Sequence, residues 1–331
     1  MATISDVAAL AGVSTATVSR ALNGKSTVDP VLAARVLDAV RELGYQPNGP
    51  ARNLRRQEAA VLALIISDVE NPFFTAIARG VEDVAHAVGY SVVLCNSDED
   101  AEKERRYVDV AVQERAAGVI VSPTATASSV GALVRRGTPV VAVDRPLPDQ
   151  EIDTVLVDTR QAARQATTHL IEQGYARVGC ITGPAGVRTA DDRLAGYRDA
   201  LKAGGQRGST RLVRRTEYKA AGAEKAAADL LGQEERPDAL LVANSAMAVG
   251  VLTALRSHGL RAGRDVGVVA FDDVPWAGLV DPPMTVVAQP AYELGTVAAK
   301  LLLARIADNT RAATTTMLGA RLLERGSSHR G

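Results

Sequence analysis

Two short helices joined by a tight turn are predicted for residues 8–24, which read Ala8-Ala9-Leu10-Ala11-Gly12-Val13-Ser14-Thr15-Ala16-Thr17-Val18-Ser19-Arg20-Ala21-Leu22-Asn23-Gly24. Gly12 tolerates the positive φ that a helix exit often needs, and Ser14 can cap the helix that follows. Upstream, Thr3 and Asp6 have the spacing of a capping box, so the first helix is expected to begin next to Thr3. Its apolar side is formed by Val7, Ala8 and Ala11.

The second helix has a polar outer surface. Val18 and Leu22 lie one turn apart and are expected to face inward, which leaves an outer side of Thr15, Ala16, Ser19 and Arg20. Small polar residues at the start of a helix, with one arginine on its outer side, suit the major groove of DNA, as in a helix-turn-helix. An ordinary helical hairpin has the same periodicity, so the pattern alone leaves both interpretations open.

Residue identity favours the DNA-binding interpretation. Four segments closely resemble the headpiece of the lactose-repressor (LacI/GalR) family: Thr3-Ile4-Ser5-Asp6-Val7-Ala8, Ala11-Gly12-Val13-Ser14, Ala16-Thr17-Val18-Ser19-Arg20 and Leu22-Asn23-Gly24. The resemblance implies that the headpiece contacts double-stranded DNA at a pseudo-palindromic operator. The residues assigned to this contact are Thr3, Ser14, Thr15, Ala16, Thr17, Ser19, Arg20 and Asn23.

A third helix is expected to complete the headpiece over residues 1–46. Asp29-Pro30 provides a cap followed by proline in the first turn, where a missing N–H does no harm. An apolar stripe then runs to Gly44 through Ala33, Val36, Leu37, Val40 and Leu43.

Residues 47–58 are basic and join the headpiece to the rest of the chain. Asn48 could cap a helix of barely two turns, which is too short to be stable alone in water. The family resemblance implies a hinge helix that folds when two subunits meet on the operator. Leu54 is expected to wedge into the minor groove between Arg52 and Arg55. A basic linker is the alternative, and Gly49-Pro50 departs from the family pattern, since glycine costs about 1 kcal/mol within a helix.

From residue 59 onward, strands and helices are expected to alternate. The predicted strands are Val61–Ile66, Ser91–Leu94, Val119–Val121 and Val140–Val143, followed by Val178–Ile181, Leu212–Val213, Ala239–Val242 and Val266–Ala270. Such alternation predicts parallel sheets with helices on both faces. The expected fold is therefore a small all-α headpiece joined to a two-lobed α/β effector domain, residues 59–331, which by resemblance is like the type I periplasmic binding proteins. The N-lobe is assigned to about 59–157 plus 290–317, and the C-lobe to about 158–289 plus 318–331.

Polar and aromatic side chains follow the predicted strands, where ligands bind in parallel α/β sheets. These segments include Asp68–Phe74, Asp144-Arg145, Arg188–Arg193, Glu217-Tyr218, Asn244-Ser245, Asp272–Trp276 and Gln289. Flat apolar rings combined with charged groups that form two hydrogen bonds suit a polyhydroxylated ring.

The family resemblance narrows this set to effector-binding candidates. The positions assigned to a small molecule, expected to be a sugar, are Phe73, Phe74, Arg193, Asn244, Asp272 and Gln289, with Tyr218 and Trp276 as weaker matches. Each has a simpler alternative: Asp272 could pair with Arg193, and Asn244 could cap the next helix.

Composition restricts the remaining function classes. The 331 residues are 47% hydrophobic, without a run of eighteen apolar residues or a signal peptide, so we expect no membrane span and a cytoplasmic, nucleoid-associated protein. Net charge is zero overall, but residues 1–56 hold seven basic and four acidic residues, which suits phosphate contact at that end. Cys95 and Cys180 stand alone in apolar surroundings and predict buried free thiols.

The sequence therefore predicts a homodimeric transcription regulator controlled by an effector bound between the lobes. Repression is the commoner mode of regulation in the family that it resembles. Catalytic residues, metal ligands and cofactors are not expected, because no histidine accompanies a nucleophile in a predicted cleft loop and no cluster has metal-ligand spacing. The alternatives are a sugar-handling α/β enzyme, or a solute-binding protein, with an accessory helical domain.

Overall fold

The computed structural model describes residues 2–22, 28–45, 59–124, 129–147, 149–206 and 210–330. The chain divides into two compact units, Met1–Ala59 and Ala60–Gly331. The helices are α1 (Ile4–Ala11), α2 (Thr15–Leu22), α3 (Pro30–Leu43), α4 (Pro72–Ala87), α5 (Ala101–Gln113), α6 (Gly131–Arg135), α7 (Thr159–Glu172), α8 (Arg188–Ala203), α9 (Ala220–Leu231), α10 (Ser245–Ser257) and α11 (Ala291–Ala307). Three short 3-10 turns cover Thr210–Leu212, Pro275–Gly278 and Gly326–Ser328. None of the helices in these ranges has the length and apolar character that crossing a membrane requires.

The strands form two sheets of six. They are β1 (Ala59–Ile66), β2 (Ser91–Asn96), β3 (Ala116–Val121), β4 (Val140–Val143), β5 (Asp153–Val157), β6 (Val178–Thr182), β7 (Val213–Arg215), β8 (Ala239–Val242), β9 (Gly267–Phe271), β10 (Thr285–Ala288), β11 (Thr315–Leu318) and β12 (Arg321–Leu323). The sheet orders are β11-β5-β4-β3-β1-β2 and β12-β10-β9-β8-β6-β7. All the recorded pairings are parallel except that of β10 with β12.

The headpiece contains the predicted helix-turn-helix geometry. Thr3 and Asp6 form the predicted capping box, and Gly12 ends α1 at φ 64°. The Ser14 hydroxyl accepts a hydrogen bond from the backbone N–H of Thr17 at 3.1 Å, so Ser14 caps α2 as predicted. These caps satisfy backbone donors that short helices cannot satisfy internally. The core consists of Val7, Ala8, Ala11, Val18, Val36 and Ala39.

One predicted core residue of α3 is exposed. Leu37 lies 47% exposed, whereas Val36 and Ala39 are buried and Val40 packs against them. Leu37 follows Val36 by one position, about 100° around the helix. The two short helices α1 and α2 form a surface too narrow to cover that side, so the prediction that Leu37 belongs to the core stripe is wrong.

The first sheet, with its covering helices, forms the N-lobe. Strand β1 lies between β3 and β2, and residues 62–66 are at most 6% exposed. Leu62, Leu64 and Ile66 pack with α4 and α11 on one face, while Ala63 and Ile65 pack with α5 on the other. Because both faces are covered, the strand is apolar throughout, as its sequence indicates.

The second sheet forms the C-lobe in the same way. Helices α9 and α10 cover one face, where Leu240 and Val242 of β8 are buried. Helices α7 and α8 cover the other, where Leu241 of the same strand packs with Tyr197. The chain passes between the lobes after β5, after β10 and between β11 and β12, so each lobe contains a segment from near the C-terminus.

Glycine residues lie at close helix crossings in both lobes. A Cβ at Gly196 of α8 would stand 2.0 Å from the carbonyl oxygen of Arg160 in α7, and one at Gly250 of α10 would stand 2.1 Å from that of Ala220 in α9. In the N-lobe, a Cβ at Gly295 of α11 would lie 2.1 Å from the carbonyl oxygen of Ile77 in α4. These distances exclude any side chain, so glycine sets how closely the paired helices approach.

Candidate functional site

The outer side of α2 is the candidate DNA-contacting surface. Thr15, Ala16 and Arg20 are exposed, and Thr17 and Ser19 are partly so. The Thr3 hydroxyl donates to Asp6 at 2.8 Å, so this side chain already has a role in capping α1. Four other predicted contacts lie outside the described residues: Asn23, Arg52, Leu54 and Arg55.

A cavity of about 200 Å³ lies between the two lobes, at the carboxyl ends of both sheets. In the N-lobe, lining residues follow strands β1, β2 and β4. In the C-lobe, they follow strands β6, β7, β8, β9 and β10. The lining consists of Ser67, Asp68, Asn71, Phe73, Phe74, Asp98, Glu99, Asp144, Arg145, Thr189, Arg193, Glu217, Tyr218, Lys219, Asn244, Asp272 and Gln289.

On the C-lobe side, Gln289 connects two buried charged side chains. Its amide nitrogen donates to Asp272 Oδ1 at 2.7 Å, and its oxygen accepts from Arg193 Nη2 at 3.5 Å. Asp272 Oδ2 also accepts from the backbone N–H of Ser245 at 3.3 Å. The direct Asp272–Arg193 ion pair considered as a simpler alternative is not formed, because Gln289 bridges the two side chains.

Arg193 is held by contacts that leave part of its guanidinium unused. Its Nη1 donates to the carbonyl oxygen of Ala243 at 2.7 Å, and its guanidinium carbon lies 4.3 Å from the ring centroid of Phe271. The residue is 5% exposed, and its buried Nε has no hydrogen-bond partner within the part of the chain that the structure describes. A buried donor without a partner is costly, so a ligand oxygen here would be favourable.

On the N-lobe side, Asp144 and Arg145 follow β4. Arg145 donates from both terminal nitrogens to Glu99, at 2.6 Å each, and Nη1 also lies 3.2 Å from the carbonyl oxygen of Pro123. Asp144 Oδ2 lies 3.5 Å from Arg145 Nε. Because Glu99 occupies the outer edge of Arg145, the Asp144 carboxylate retains free acceptor capacity toward the cavity.

Burial changes the acidity of both carboxylates. It raises the pKa of Asp144 above its usual value, with Arg145 and Arg193 opposing the change. It likewise raises the pKa of Asp272, against the attraction of Arg193 and the hydrogen bond from Gln289. Each carboxylate has therefore lost hydration that donors on a ligand could replace.

Aromatic rings form the apolar walls. Phe73 and Phe74 pack edge to face, with centroids 5.2 Å apart. Across the cavity, the Tyr218 ring lies against Gly183, where a Cβ would stand 2.3 Å from the ring. The Tyr218 hydroxyl is 3.4 Å from Thr189 Oγ1. Glycine at 183 is therefore required for the ring to occupy this position.

Two asparagines cap helices while lining the cavity. Asn71 Oδ1 accepts from the backbone N–H of Phe73 at 3.0 Å, and Asn244 Oδ1 accepts from that of Met247 at 2.7 Å. The capping role considered for Asn244 is thus observed. It uses only the amide oxygen, which leaves the Nδ2 donor for a ligand.

Backbone strain is concentrated around the cavity. Five residues other than glycine have a positive φ in the described ranges, and four of them line the cavity: Asp98, Glu99, Asp144 and Asp272, with φ between 53° and 77°. A left-handed conformation costs a side-chain-bearing residue about 1–3 kcal/mol and is typical of ligand-binding sites.

One predicted ligand contact lies elsewhere, and several lining residues were not predicted. Trp276 is absent from the lining and packs against the α9–α10 side of the C-lobe core. It lies in a 3-10 turn, four residues beyond Asp272, and this turn directs it away from the cavity. The lining residues missed as contacts include Asn71, Glu99, Asp144 and Arg145, although Asp144 and Arg145 follow a strand that the sequence does predict.

The residues around the cavity are mostly hydrogen-bonding and aromatic groups. The lining contains neither histidine nor cysteine, and no group of three or more metal-ligating side chains occurs in the described ranges. Its chemistry consists of fixed acceptors, fixed donors and two aromatic walls.

Comparison with known proteins gives two family matches on this chain. Residues 3–48 match the model described as bacterial regulatory proteins, lacI family. Residues 167–328 match the periplasmic binding protein-like domain.

Individual relatives cover nearly the whole chain. The ribose operon repressor of Halalkalibacterium halodurans is 38% identical over 92% of this chain and 91% of its own length. That of Escherichia coli K12 is 35% identical over 99% of this chain and all of its own length. The crystal structure of the Lac repressor dimer bound to operator and the anti-inducer ONPF matches with a TM-score of 0.86 at 26% identity, covering 99% of each chain.

Proposed function

This chain belongs to the LacI family of bacterial regulatory proteins, and we propose that it is a homodimeric transcriptional repressor whose effector is an uncharged pentose such as D-ribose. The observation that carries the effector proposal is the pairing of two buried carboxylates, Asp144 and Asp272, across one small cavity with aromatic walls. The names of the two ribose operon repressors support the same sugar.

The cavity chemistry suits vicinal hydroxyl groups. A carboxylate accepts from two adjacent hydroxyls, and a guanidinium donates to them, so Asp272 and Arg193 can each make paired hydrogen bonds. The rings of Phe73 and Tyr218 supply flat apolar surfaces for the C–H faces of a sugar ring. Hydroxyl groups that leave water for this cavity would thus find partners on every side.

Size and charge narrow the ligand class. Ligand pockets usually enclose about 300–1,000 Å³, whereas this cavity is about 200 Å³, which favours a single sugar ring. Six carboxylates and three cations line it among the residues described. The excess of negative charge disfavours a phosphorylated sugar, so the ligand is a free sugar.

Isothermal titration calorimetry of the full-length protein tests this proposal. We expect D-ribose to bind, D-ribose 5-phosphate to bind at least tenfold more weakly, and the disaccharide cellobiose not to bind. Tighter binding of D-ribose 5-phosphate than of D-ribose, or the absence of a binding heat on titration with D-ribose, would contradict the assigned ligand class.

The headpiece supports operator recognition by a dimer. Exposed apolar side chains on edge strand β2 and on the C-lobe, namely Val93, Leu94, Val249 and Leu279, form candidate dimer contacts. Light scattering should therefore give twice the chain mass, and the Leu94→Asp and Leu279→Asp variants should shift the measured mass toward that of the monomer.

Selection of binding sites from a random DNA pool should return a symmetric site. We place this activity in the cytoplasm, on nucleoid DNA, and an asymmetric site would argue against dimeric recognition.

A further inference from the structure

Lys219 joins the two lobes at the mouth of the cavity. It precedes α9 in the C-lobe, and its Nζ lies 2.8 Å from Asp68 Oδ2 and 3.6 Å from Glu70 Oε2. Asp68 and Glu70 both follow β1 in the N-lobe. We call these three side chains the interlobe latch.

Among the ion pairs recorded for the described residues, those of the interlobe latch are the ones that join the two lobes. Every other recorded ion pair closes within the headpiece or within a single lobe. On the cavity walls, Arg145 pairs with Glu99 inside the N-lobe, while Gln289 connects Arg193 with Asp272 on the C-lobe side. The lobes are further connected by the three chain crossings and by the attraction between Asp144 and Arg193 across the cavity.

The surroundings of the interlobe latch strengthen it. The Asp68 side chain is 12% exposed, so water screens this pair less than a surface pair. Asp68 Oδ1 also accepts from the backbone N–H of Glu70 at 3.0 Å, which fixes the carboxylate toward the C-lobe. Asp98 adds further negative charge on the N-lobe side, and the hydrogen bond to Asp68 raises the pKa of Lys219.

We propose that Lys219 is a further determinant of effector affinity, acting through lobe orientation rather than through contact with the effector. The interlobe latch favours the orientation that encloses the cavity before any ligand binds. An effector enclosed by both lobes then binds a population that is already closed, so less of its binding free energy is spent on closure. The link to effector affinity rests on the proposed function, whereas the effect on lobe orientation does not.

Lys103 provides a matched control. It forms an ion pair with Asp98 at the same side of the molecule, and its side chain is 43% exposed against 51% for Lys219. Lys103 and Asp98 both belong to the N-lobe. Lys219→Met and Lys103→Met therefore remove the same charge from similar surroundings, but only the first removes a link between lobes.

The first measurement needs no ligand. Spin labels at Arg106→Cys in α5 and Lys225→Cys in α9, both exposed, report the distance between the lobes. The native thiols Cys95 and Cys180 are buried and stay unlabelled. We expect Lys219→Met to lengthen and broaden the distance distribution, while Lys103→Met leaves it unchanged. An unchanged distribution in Lys219→Met would overturn the proposal.

The second measurement uses D-ribose and ionic strength. D-Ribose is uncharged, so ionic strength is expected to change its affinity only through charged side chains whose interactions change when the lobes close. We expect Lys219→Met to weaken binding about threefold to tenfold and to remove the salt dependence that the wild type and Lys103→Met show. Equal affinity and equal salt dependence in all three proteins would also overturn the proposal. If the wild type does not bind D-ribose, the proposed function fails while the distance measurement still decides the role of Lys219.

Discussion

At the level of single residues, the proposed effector site contains side chains available to bind a ligand and side chains that orient them. Gln289 holds Asp272 and Arg193 apart, so neither charge neutralises the other by direct contact. Asp272 therefore remains an acceptor that is buried, strained at φ 77° and poorly hydrated. A residue in this condition is expected to contribute strongly to binding, because the ligand restores what burial removed.

Replacing Asp272 tests that expectation. Asp272→Ala should weaken D-ribose binding by about 1–3 kcal/mol, since ligand hydroxyls and Gln289 lose their acceptor. Operator binding should persist without the sugar but no longer respond to it at wild-type concentrations. The adjacent Asp273→Ala is the control, because Asp273 pairs with Arg325 and is not part of the cavity lining. Calorimetry and operator titration measure both effects, and equal responses of the two variants would place sensing elsewhere.

Arg20 is the charged side chain on the outer side of α2. Arg20→Ala should cost about 1–3 kcal/mol at one base position, as expected for lost hydrogen bonds to a base edge. Arg41→Ala is the control, because Arg41 is exposed on α3 beside Asp38. Selection of binding sites from random DNA compares the two variants. A consensus unchanged by Arg20→Ala would show that another side chain reads that position.

Sequence patterns predict residue placement unevenly. The family resemblance predicts Asp272 and Arg193 as ligand contacts, and it gives Trp276, which follows the same strand as Asp272, as a weaker match. The actual position of Trp276 depends on a 3-10 turn, which no periodic pattern in the sequence predicts. Arg145 was missed as a contact because its function depends on Glu99, which follows a different strand.

At the scale of secondary-structure elements, helix crossings depend on glycine. Gly196→Ala places a methyl group 2.0 Å from a backbone carbonyl oxygen, which cannot move without shifting α7. We expect a loss of about 1–3 kcal/mol or more in the free energy of unfolding, as for other overpacked interiors. Urea unfolding measures this loss. Gly278→Ala is the control, since a Cβ there meets nothing within 4 Å, and a comparable loss in both variants would contradict the crossing argument.

The buried His169 makes the C-terminal segment sensitive to pH. Its Nε2 lies 2.7 Å from Ser328 Oγ, and Glu324 and His329 lie nearby. Burial lowers the pKa of His169 below its unfolded value of about 6.5. Neutral His169 therefore contributes its full stabilisation of the folded protein above about pH 6.5. This contribution declines as the pH falls toward the lower pKa that His169 has in the folded state.

Thermal unfolding between pH 7.5 and 5.5 tests the role of His169. The wild-type midpoint should fall with pH more steeply than that of His169→Phe, which fills the space but does not titrate. At pH 7.5 this variant should lose about 1 kcal/mol through the missing hydrogen bond. Parallel pH profiles of the two proteins would exclude His169 as the responsible group.

The four strands that sequence analysis missed fall into two groups. Strands β11 and β12 lie at the sheet edges and are only partly covered, so they lack the continuous apolar run of a buried strand. Strands β5 and β10 lie inside their sheets and are mostly buried, but they have only five and four residues and begin with Asp153-Thr154 and Thr285, so their apolar runs are short. The longer central strand β1 is buried on both faces, and its apolar run predicts it.

At the scale of the whole molecule, headpiece and effector domain are separate compact units. A fragment beginning at residue 59 should therefore fold, bind D-ribose with the affinity of the full chain and fail to bind operator. Calorimetry and operator titration of the fragment measure this separation. A fragment that folds but loses the sugar would show that the headpiece contributes to effector binding.

Contacts between the lobes are the part of the site least visible in the sequence. Lys219 and Asp68 are 151 residues apart, and no local pattern relates them. Their pairing follows from two sheets that place strand ends opposite one another. Fold class could thus be predicted from periodicity and family resemblance, whereas the link between the lobes required coordinates.

The exchange of chain segments between the lobes has a consequence for synthesis on the ribosome. The N-lobe sheet is incomplete until β11 has been translated, and the C-lobe sheet until β12 has. Roughly 270 residues separate the end of α3 from β11, so at about 5–20 residues per second translation of this interval takes on the order of tens of seconds. During that time a growing chain carries all three headpiece helices but no complete sugar sensor. A premature stop codon before β11 would leave both lobes without their last strands, and the product is expected to be removed by proteases rather than to persist as an unregulated repressor.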